Sequence, residues 1–200
     1  MVSILISDLG NVLLPFQLEP AFAALAAAGE PRSDLQEVVR RVYLESGISL
    51  GACSAQDFFD KMRSALGLQL SYQQFHRAWS NIFSEDTAVT ALIAEANVRH
   101  RYLLSNTDPL HWEWIQTHFP QVLADFDRLF ASHECRMLKP DPAFYQLVMR
   151  ESGAPAPAHL FIDDLPENVA AADALGMDTI LFRDADSLRA ALQERALITA

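Results

Sequence analysis

Five short apolar runs punctuate the chain: VSILIS (2–7), RHRYLLS (99–105), RLFAS (128–132), HLFID (159–163) and DTILF (178–182). Each is too short for a helix and ends in polar or turn residues, as strands do. The stretches 87–96, 109–118, 141–151, 166–175 and 186–195 carry helical patterns between them. No other feature narrows the fold as much. Strand–helix alternation predicts an α/β architecture whose sheet is mainly parallel. Ligands of such sheets bind beyond the carboxyl ends of the strands. Asp8, Ser105, Asp163 and Asp164 each end a predicted strand, so they are expected along one edge.

Residues 16–85 follow a different pattern. They contain no convincing strand and three serine-led helix starts: Ser33 with Gln36, Ser54 with Asp57, and Ser71 with Gln74. A hydroxyl three residues ahead of a side-chain acceptor is the capping-box pattern. Phe58, Phe59, Met62 and Leu66 then recur at helical spacing. The run AFAALAAAG (21–29) is a further helix, stopped by Gly29 and Pro31. The expectation is a Rossmann-like core from 1–15 and 86–200, with a small inserted four-helix cap over 16–85. The aromatic residues Phe58, Phe59, Tyr72, Phe75, Trp79 and Phe83 read as the core of that insertion.

Two hundred residues, half of them hydrophobic, are enough for such a core with its insertion. The net charge of −11 argues against non-specific binding to nucleic acid or an anionic membrane. It leaves an anionic substrate open, because a local metal or lysine reverses the sign within a site. Cys53 and Cys135 lie far apart, outside any metal-binding spacing, and read as reduced thiols. Neither a basic, apolar leader nor a bilayer-length apolar stretch is evident. A soluble, cytoplasmic protein is expected; its oligomeric state is not legible.

Asp8 poses a chemical question. A carboxylate at the mouth of an apolar strand costs free energy unless it is paired, hydrogen-bonded or metal-bound. Taken one at a time, the polar clusters have structural readings. Asp8 suits a turn cap, and Ser105-Asn106 a strand-end turn before the helix near Pro109. Lys139-Pro140-Asp141-Pro142 suits a helix start with an early proline. Asp163-Asp164 is less comfortable as mere structure, since adjacent like charges repel.

Taken together, DLGNVL (8–13), LLSNT (103–107), LKPDPAFY (138–145) and FIDDLPENVAAADALGM (161–177) occur in an order and setting that resemble the haloacid dehalogenase-like (HAD) hydrolase superfamily. The resemblance covers nearly the whole chain. It implies an Mg²⁺-dependent phosphatase of a small phosphorylated metabolite, with Asp8 as the nucleophile that becomes phosphorylated. It further implies that Asp8, the Gly10 carbonyl and Asp163 hold the metal, with Asp164 acting through water or orienting the site. Ser105 would hydrogen-bond a phosphoryl oxygen and Asn106 shape the loop. Lys139 would neutralise charge, Leu9 and Gly10 would offer backbone N–H groups, and Asn168 would tie the acidic loop to the site. The DLGNV start, ESG (45–47), SYQQF (71–75) and SNT (105–107) resemble the branch containing bacterial α-glucose-1-phosphate phosphatases, which implies a sugar phosphate. Glu45, Ser46 and Gly47 are then expected in a cap turn facing the site.

The chain departs from the family pattern at Gly10, where many members carry an aspartate that serves as general acid and base. Glycine offers only backbone atoms, and Leu138 replaces a basic residue often found before the lysine. General acid–base help contributes about 10²–10⁴-fold in rate, so poor leaving groups should suffer most. Glu45, His76 and His111 have the chemistry to substitute, although each reads most simply as an exposed surface residue. Two other readings stay open: a non-catalytic binder of phospholigand or protein, and a haloacid dehalogenase. Retention of Asp8, Lys139 and Asp163 argues against the first. Gly10, where dehalogenases usually carry tyrosine, argues against the second, and the missing acid disfavours a phosphomutase.

Overall fold

The computed structural model describes residues 2–199. A five-stranded sheet runs through its centre, formed by β1 (Ile4–Ser7), β2 (His100–Ser105), β3 (Arg128–Ala131), β4 (His159–Asp163) and β5 (Asp178–Leu181). The order is β3-β2-β1-β4-β5 and every pairing is parallel. Strands covered on both faces are apolar throughout rather than alternating, which is why ILIS is entirely buried. Leu5 packs with Leu103, Leu160 and Ile162 on one face. Ile4 and Ile6 pack with Tyr102, Leu104 and Phe161 on the other.

Helices α5 (Thr87–Glu95), α6 (Pro109–His118), α9 (Pro142–Ser152) and α10 (Pro166–Ala174) lie between strands, and α11 (Ala185–Glu194) follows β5. Two short helices, α7 (Pro120–Ala124) and α8 (Ser132–Cys135), carry too little periodicity to be read from sequence. Among the described residues no helix is long and apolar enough to cross a membrane.

Four helices follow β1: α1 (Glu19–Ala28), α2 (Leu35–Ser46), α3 (Ala55–Leu66) and α4 (Tyr72–Ser80). Leu25, Val38, Phe58, Met62 and Phe75 form a separate apolar cluster there, which Leu110 of α6 joins. Ser54 and Ser71 make their capping boxes with Asp57 and Gln74. The Ser33–Gln36 box does not form. The N-cap position of α2 falls one residue later, at Asp34, whose carboxylate is taken by Arg32 at 2.7 and 3.0 Å. An ion pair has displaced the cap.

The chain enters and leaves this helical segment side by side. Gln17 N donates to Ile82 O at 3.0 Å and Ser84 N to Pro15 O at 2.9 Å. Phe16 and Phe83 meet edge to face across this junction. At the far side Gly51 has φ +65°, and a Cβ there would collide with the His133 carbonyl oxygen. Only glycine permits that approach to α8.

Candidate active site

Order 3-2-1-4-5 reverses at β1, and such a switch point is where open α/β sheets bind ligands. Ser7 pairs with Leu103 of β2 and Ile162 of β4, so the three strands end side by side. That register brings Asp8, Ser105 and Asp163 to one edge, although the two carboxylates lie far apart along the chain.

Lys139 joins them. Its Nζ lies 2.7 Å from Asp8 Oδ1 and 2.7 Å from Asp163 Oδ2, and the residue is only 4% exposed. Asn106 holds the lysine in place through both ends of its amide. Nδ2 donates to the Lys139 carbonyl and Oδ1 accepts from the Lys139 N–H, each at 2.9 Å. Asp163 Oδ1 accepts from Leu165 N and from Asn168 Nδ2, each at 2.9 Å. Tyr145 in turn donates its hydroxyl to the Asn168 carbonyl at 3.1 Å. Asp164 accepts from Asn11 Nδ2 at 3.3 Å. Asn11 adopts φ +54°, a conformation asparagine tolerates better than most side chains.

Burial pushes the Asp8 carboxyl up to about 6; Lys139 pulls it down and the Asp163 charge pushes it up. Asp164 is also raised, first by burial, with the Asp163 charge adding to it. Oxygen atoms of Asp8, Asp163 and Asp164 lie within 4.8 Å of one another. Three clustered carboxylates, with Asp8 and Asp164 resisting their charges, fit a hard divalent cation such as Mg²⁺, which prefers oxygen ligands. The neighbouring Leu9 N–H also favours the charged Asp8 carboxylate.

A cavity of about 530 Å³ opens beside Leu9, Gly10, Ser105 and Asn106 and extends toward α1, α2 and α4. A Cβ on Gly10 would lie 3.2 Å from the Phe16 ring, so glycine makes room for an aromatic wall as well as a turn. Glu45 and Ser46 line a different depression, around Cys53, Asp57 and Asp60, and do not face this cavity. His76 is turned to the Leu110 carbonyl at 3.0 Å and is also absent from the lining.

His111 does line the cavity, and it is not an exposed surface residue: its side chain is 14% exposed. Nδ1 lies 3.0 Å from Asp108 Oδ2 and Nε2 lies 3.1 Å from the Trp79 carbonyl. Both partners accept, so both ring nitrogens must carry protons. His111 is an imidazolium with each N–H committed, stacked on the Trp79 ring at 5.4 Å. It therefore presents no spare proton to the cavity.

Burial works against the His111 charge, but Asp108 and the Trp79 carbonyl outweigh it and raise the pKa. Burial likewise works to raise Asp108, but His111 and the Trp79 N–H hold it below the usual carboxylate range. Asp108 also caps α6, accepting from Leu110 N and His111 N. The cluster joins α4 to the core. Nothing in the sequence marked it except an aspartate before a proline, which reads as a helix cap.

A raised histidine stabilises fully below its unfolded pKa of about 6.5 and loses that contribution as pH rises through the folded value. His111→Phe is expected to cost about 2 kcal/mol at pH 6. The difference in melting temperature between the two proteins should shrink steadily as pH rises to 9. A pH-independent difference would remove the charge from this account.

No family model matches the chain. It is similar to a D-ribitol-5-phosphate phosphatase of Bacteroides thetaiotaomicron, at 24% identity over 189 residues, covering 90% of this chain and 91% of that one. It is also similar to a sesquiterpene phosphatase of Aspergillus oryzae, at 28% identity over 159 residues, covering 74% and 76%. A HAD family enzyme from Bacteroides thetaiotaomicron, crystallised with magnesium and inorganic phosphate, matches with TM-score 0.81 at 26% identity over 92% of this chain and 95% of that one. A HAD-like family hydrolase from Porphyromonas gingivalis matches with TM-score 0.83 at 25% identity over 98% of each. Haloacid dehalogenases at 17–20% identity share the fold. In fold and along almost the whole of both chains, the protein is similar to HAD-family hydrolases.

Proposed function

We propose that the chain is a Mg²⁺-dependent phosphatase of a small phosphorylated metabolite, working through an aspartyl-phosphate on Asp8. One observation carries this reading. Asp8 stands at the switch point of the sheet, held by a buried lysine, beside two further carboxylates and next to Leu9 and Gly10, which line a cavity. A residue needed only to cap a turn has no use for a buried cation. The relatives named as phosphatases, and the magnesium and phosphate bound by a structural neighbour, support the same class.

In this mechanism an Asp8 carboxylate oxygen attacks phosphorus while the bond to the leaving oxygen breaks. Water then attacks the aspartyl-phosphate and releases inorganic phosphate. Splitting one hard displacement into two is the benefit of a covalent nucleophile. Mg²⁺, held by Asp8, Asp163, Asp164 and the Gly10 carbonyl, would neutralise charge on the nucleophile and the phosphoryl oxygens. Lys139 supplies a point charge for the same purpose, and the Ser105 hydroxyl donates to a phosphoryl oxygen. Asn106 acts chiefly by fixing Lys139. The N–H groups of Leu9 and Gly10 border the phosphate position.

Glu45, His76 and His111 do not supply the acid that Gly10 lacks, because the first two stand away from the cavity and the third has no spare proton. The leaving oxygen takes its proton from solvent. Residues 16–85 act as a cap that shapes the cavity, over a hydrolase core of 1–15 and 86–200. The relatives' names span a polar polyol ester and an apolar terpenoid one, and a sugar phosphate such as glucose 1-phosphate belongs in the same panel.

Phosphate release from an aryl phosphate is the direct test. It is expected with Mg²⁺ and abolished by a chelator, with recovery when Mg²⁺ is restored. Release that persists in chelator would overturn the metal-dependent reading. Absence of release from every ester tried would overturn the phosphatase reading itself.

A further inference from the structure

The cavity that opens beside Asp8 has walls of one character. Phe16, Phe22, Val39, Trp79, Ile82 and Phe83 form most of them. Leu18 extends the apolar lining to the mouth, where it is 40% exposed although large and hydrophobic. A solvent-exposed leucine is ordinary alone, but here it continues an apolar wall.

Much of the polar lining is already engaged within the protein. The Asn106 amide is bonded at both ends to Lys139. His111 has both ring nitrogens committed, to Asp108 and to the Trp79 carbonyl. The Trp79 N–H faces Asp108 at 3.3 Å. Gln36 and Arg40 are exposed residues of α2 at the rim. Ser105 and the Leu9–Gly10 backbone lie at the strand ends, where a phosphoryl group would take them up.

From this we infer that the substrate's leaving group is a bulky apolar alcohol or phenol, and that this enzyme discriminates against sugar and polyol phosphates. The inference rests on the phosphatase reading and specifies its substrate class. Past the Gln36 and Arg40 rim, a polyol entering these walls would give up water for few free donors or acceptors. Each unsatisfied hydroxyl costs roughly tenfold or more in binding. An apolar group of the same size leaves water at a gain, about fourfold per buried methylene. The volume agrees: a cavity of about 150 Å³ holds benzene, and this one is about 530 Å³. It has room for a phosphoryl group and a ring system behind it. The reaction balances without further reactants. The Asp8 oxygen–phosphorus bond forms as the ester P–O bond breaks. The departing oxygen keeps the electron pair and is protonated by solvent water.

Two measurements decide it. The first is kcat/KM for phosphate release by the wild-type protein with Mg²⁺. The substrates are phenyl, 2-phenylethyl and 4-phenylbutyl phosphate, set against ribitol 5-phosphate and glucose 1-phosphate. The expected result is a rise of about fourfold per methylene across the two phenylalkyl esters. Those esters should exceed both sugar esters by at least roughly 100-fold. Phe22→Gln, at a half-buried position in the cavity wall, should flatten the rise. Turnover that is faster on the sugar esters, or insensitive to chain length, would overturn the inference and leave the phosphatase reading standing.

The second is calorimetric titration of the Mg²⁺-loaded protein with non-hydrolysable 4-phenylbutylphosphonate and with a polyol phosphonate of equal size. It needs no turnover, so it decides the character of the cavity even where no ester releases phosphate. Tighter binding of the apolar phosphonate supports the inference; equal or weaker binding refutes it.

Discussion

Asp8→Asn is expected to lower Mg²⁺-dependent phosphate release at least roughly 10⁴-fold, the scale of loss when a covalent nucleophile is removed. The change replaces one oxygen by nitrogen, so shape is preserved. Its effect on stability has the opposite sign. The folded protein raises the Asp8 carboxyl to about 6 because burial disfavours the charge. A raised acid stabilises below its unfolded pKa of about 3.9 and loses that contribution as pH rises through the folded value. Near pH 7 the metal-free wild type therefore carries an unfavourable buried charge that asparagine lacks. The variant should melt higher than metal-free wild type at pH 7 and gain less from added Mg²⁺. Activity lost together with stability would mean that Asp8 is a structural residue. Activity lost while stability rises is the signature of a group kept for chemistry.

Lys139→Met is the companion experiment, with the larger effect on stability. Its ammonium is the shared partner of Asp8 and Asp163, and it is almost wholly buried. Removing one partner of a buried ion pair costs about 3–5 kcal/mol, because the other charge is left uncompensated. For a chain of this length that corresponds to a fall of roughly 6–20 °C in melting temperature. Methionine fills similar space, so little of the loss should come from a void. Added Mg²⁺ should restore more stability to this variant than to the wild type, since it neutralises the same carboxylates. Turnover should remain low even then, because the charge aimed at the phosphoryl group is gone. Equal stabilisation of both proteins by Mg²⁺ would show that metal and lysine do not share these carboxylates.

These two residues also show how far a sequence carries. Asp8 was legible because an apolar run ending in a carboxylate is costly, and the cost calls for an explanation. Lys139 was legible only in company with LLSNT and FIDD, since a lysine before a proline is common. The hydrogen bonds of Asn106 to both sides of the Lys139 backbone were not legible. They join residues 33 apart, and nothing local in either segment announces the other. Ser33 failed as a cap for a related reason. Arg32 competes for the neighbouring aspartate, and local pattern does not rank an ion pair against a hydroxyl.

His111 is the sharper case. As a residue type in a helix it reads as a surface histidine with spare chemistry. In the fold it is a mostly buried cation between a carboxylate and a carbonyl, with no proton to give. The aromatic residues Trp79 and Phe83 read as packing, and they do pack, yet both also wall the cavity. One side chain serves both purposes because the cavity lies between the helical segment and the sheet.

The sequence by itself determined the parallel α/β sheet, the helical segment after the first strand, and the carboxylates, serine and lysine available for catalysis. Periodicity, turn chemistry and the cost of burying charge are local properties, and one chain displays them. Only the tertiary structure decided that Lys139 bridges Asp8 and Asp163, that His111 is spent, and that the space beside Leu9 and Gly10 is largely apolar. Those outcomes depend on which distant groups share a small volume, where each donor and acceptor has a limited number of partners and each neighbour changes what the others can do.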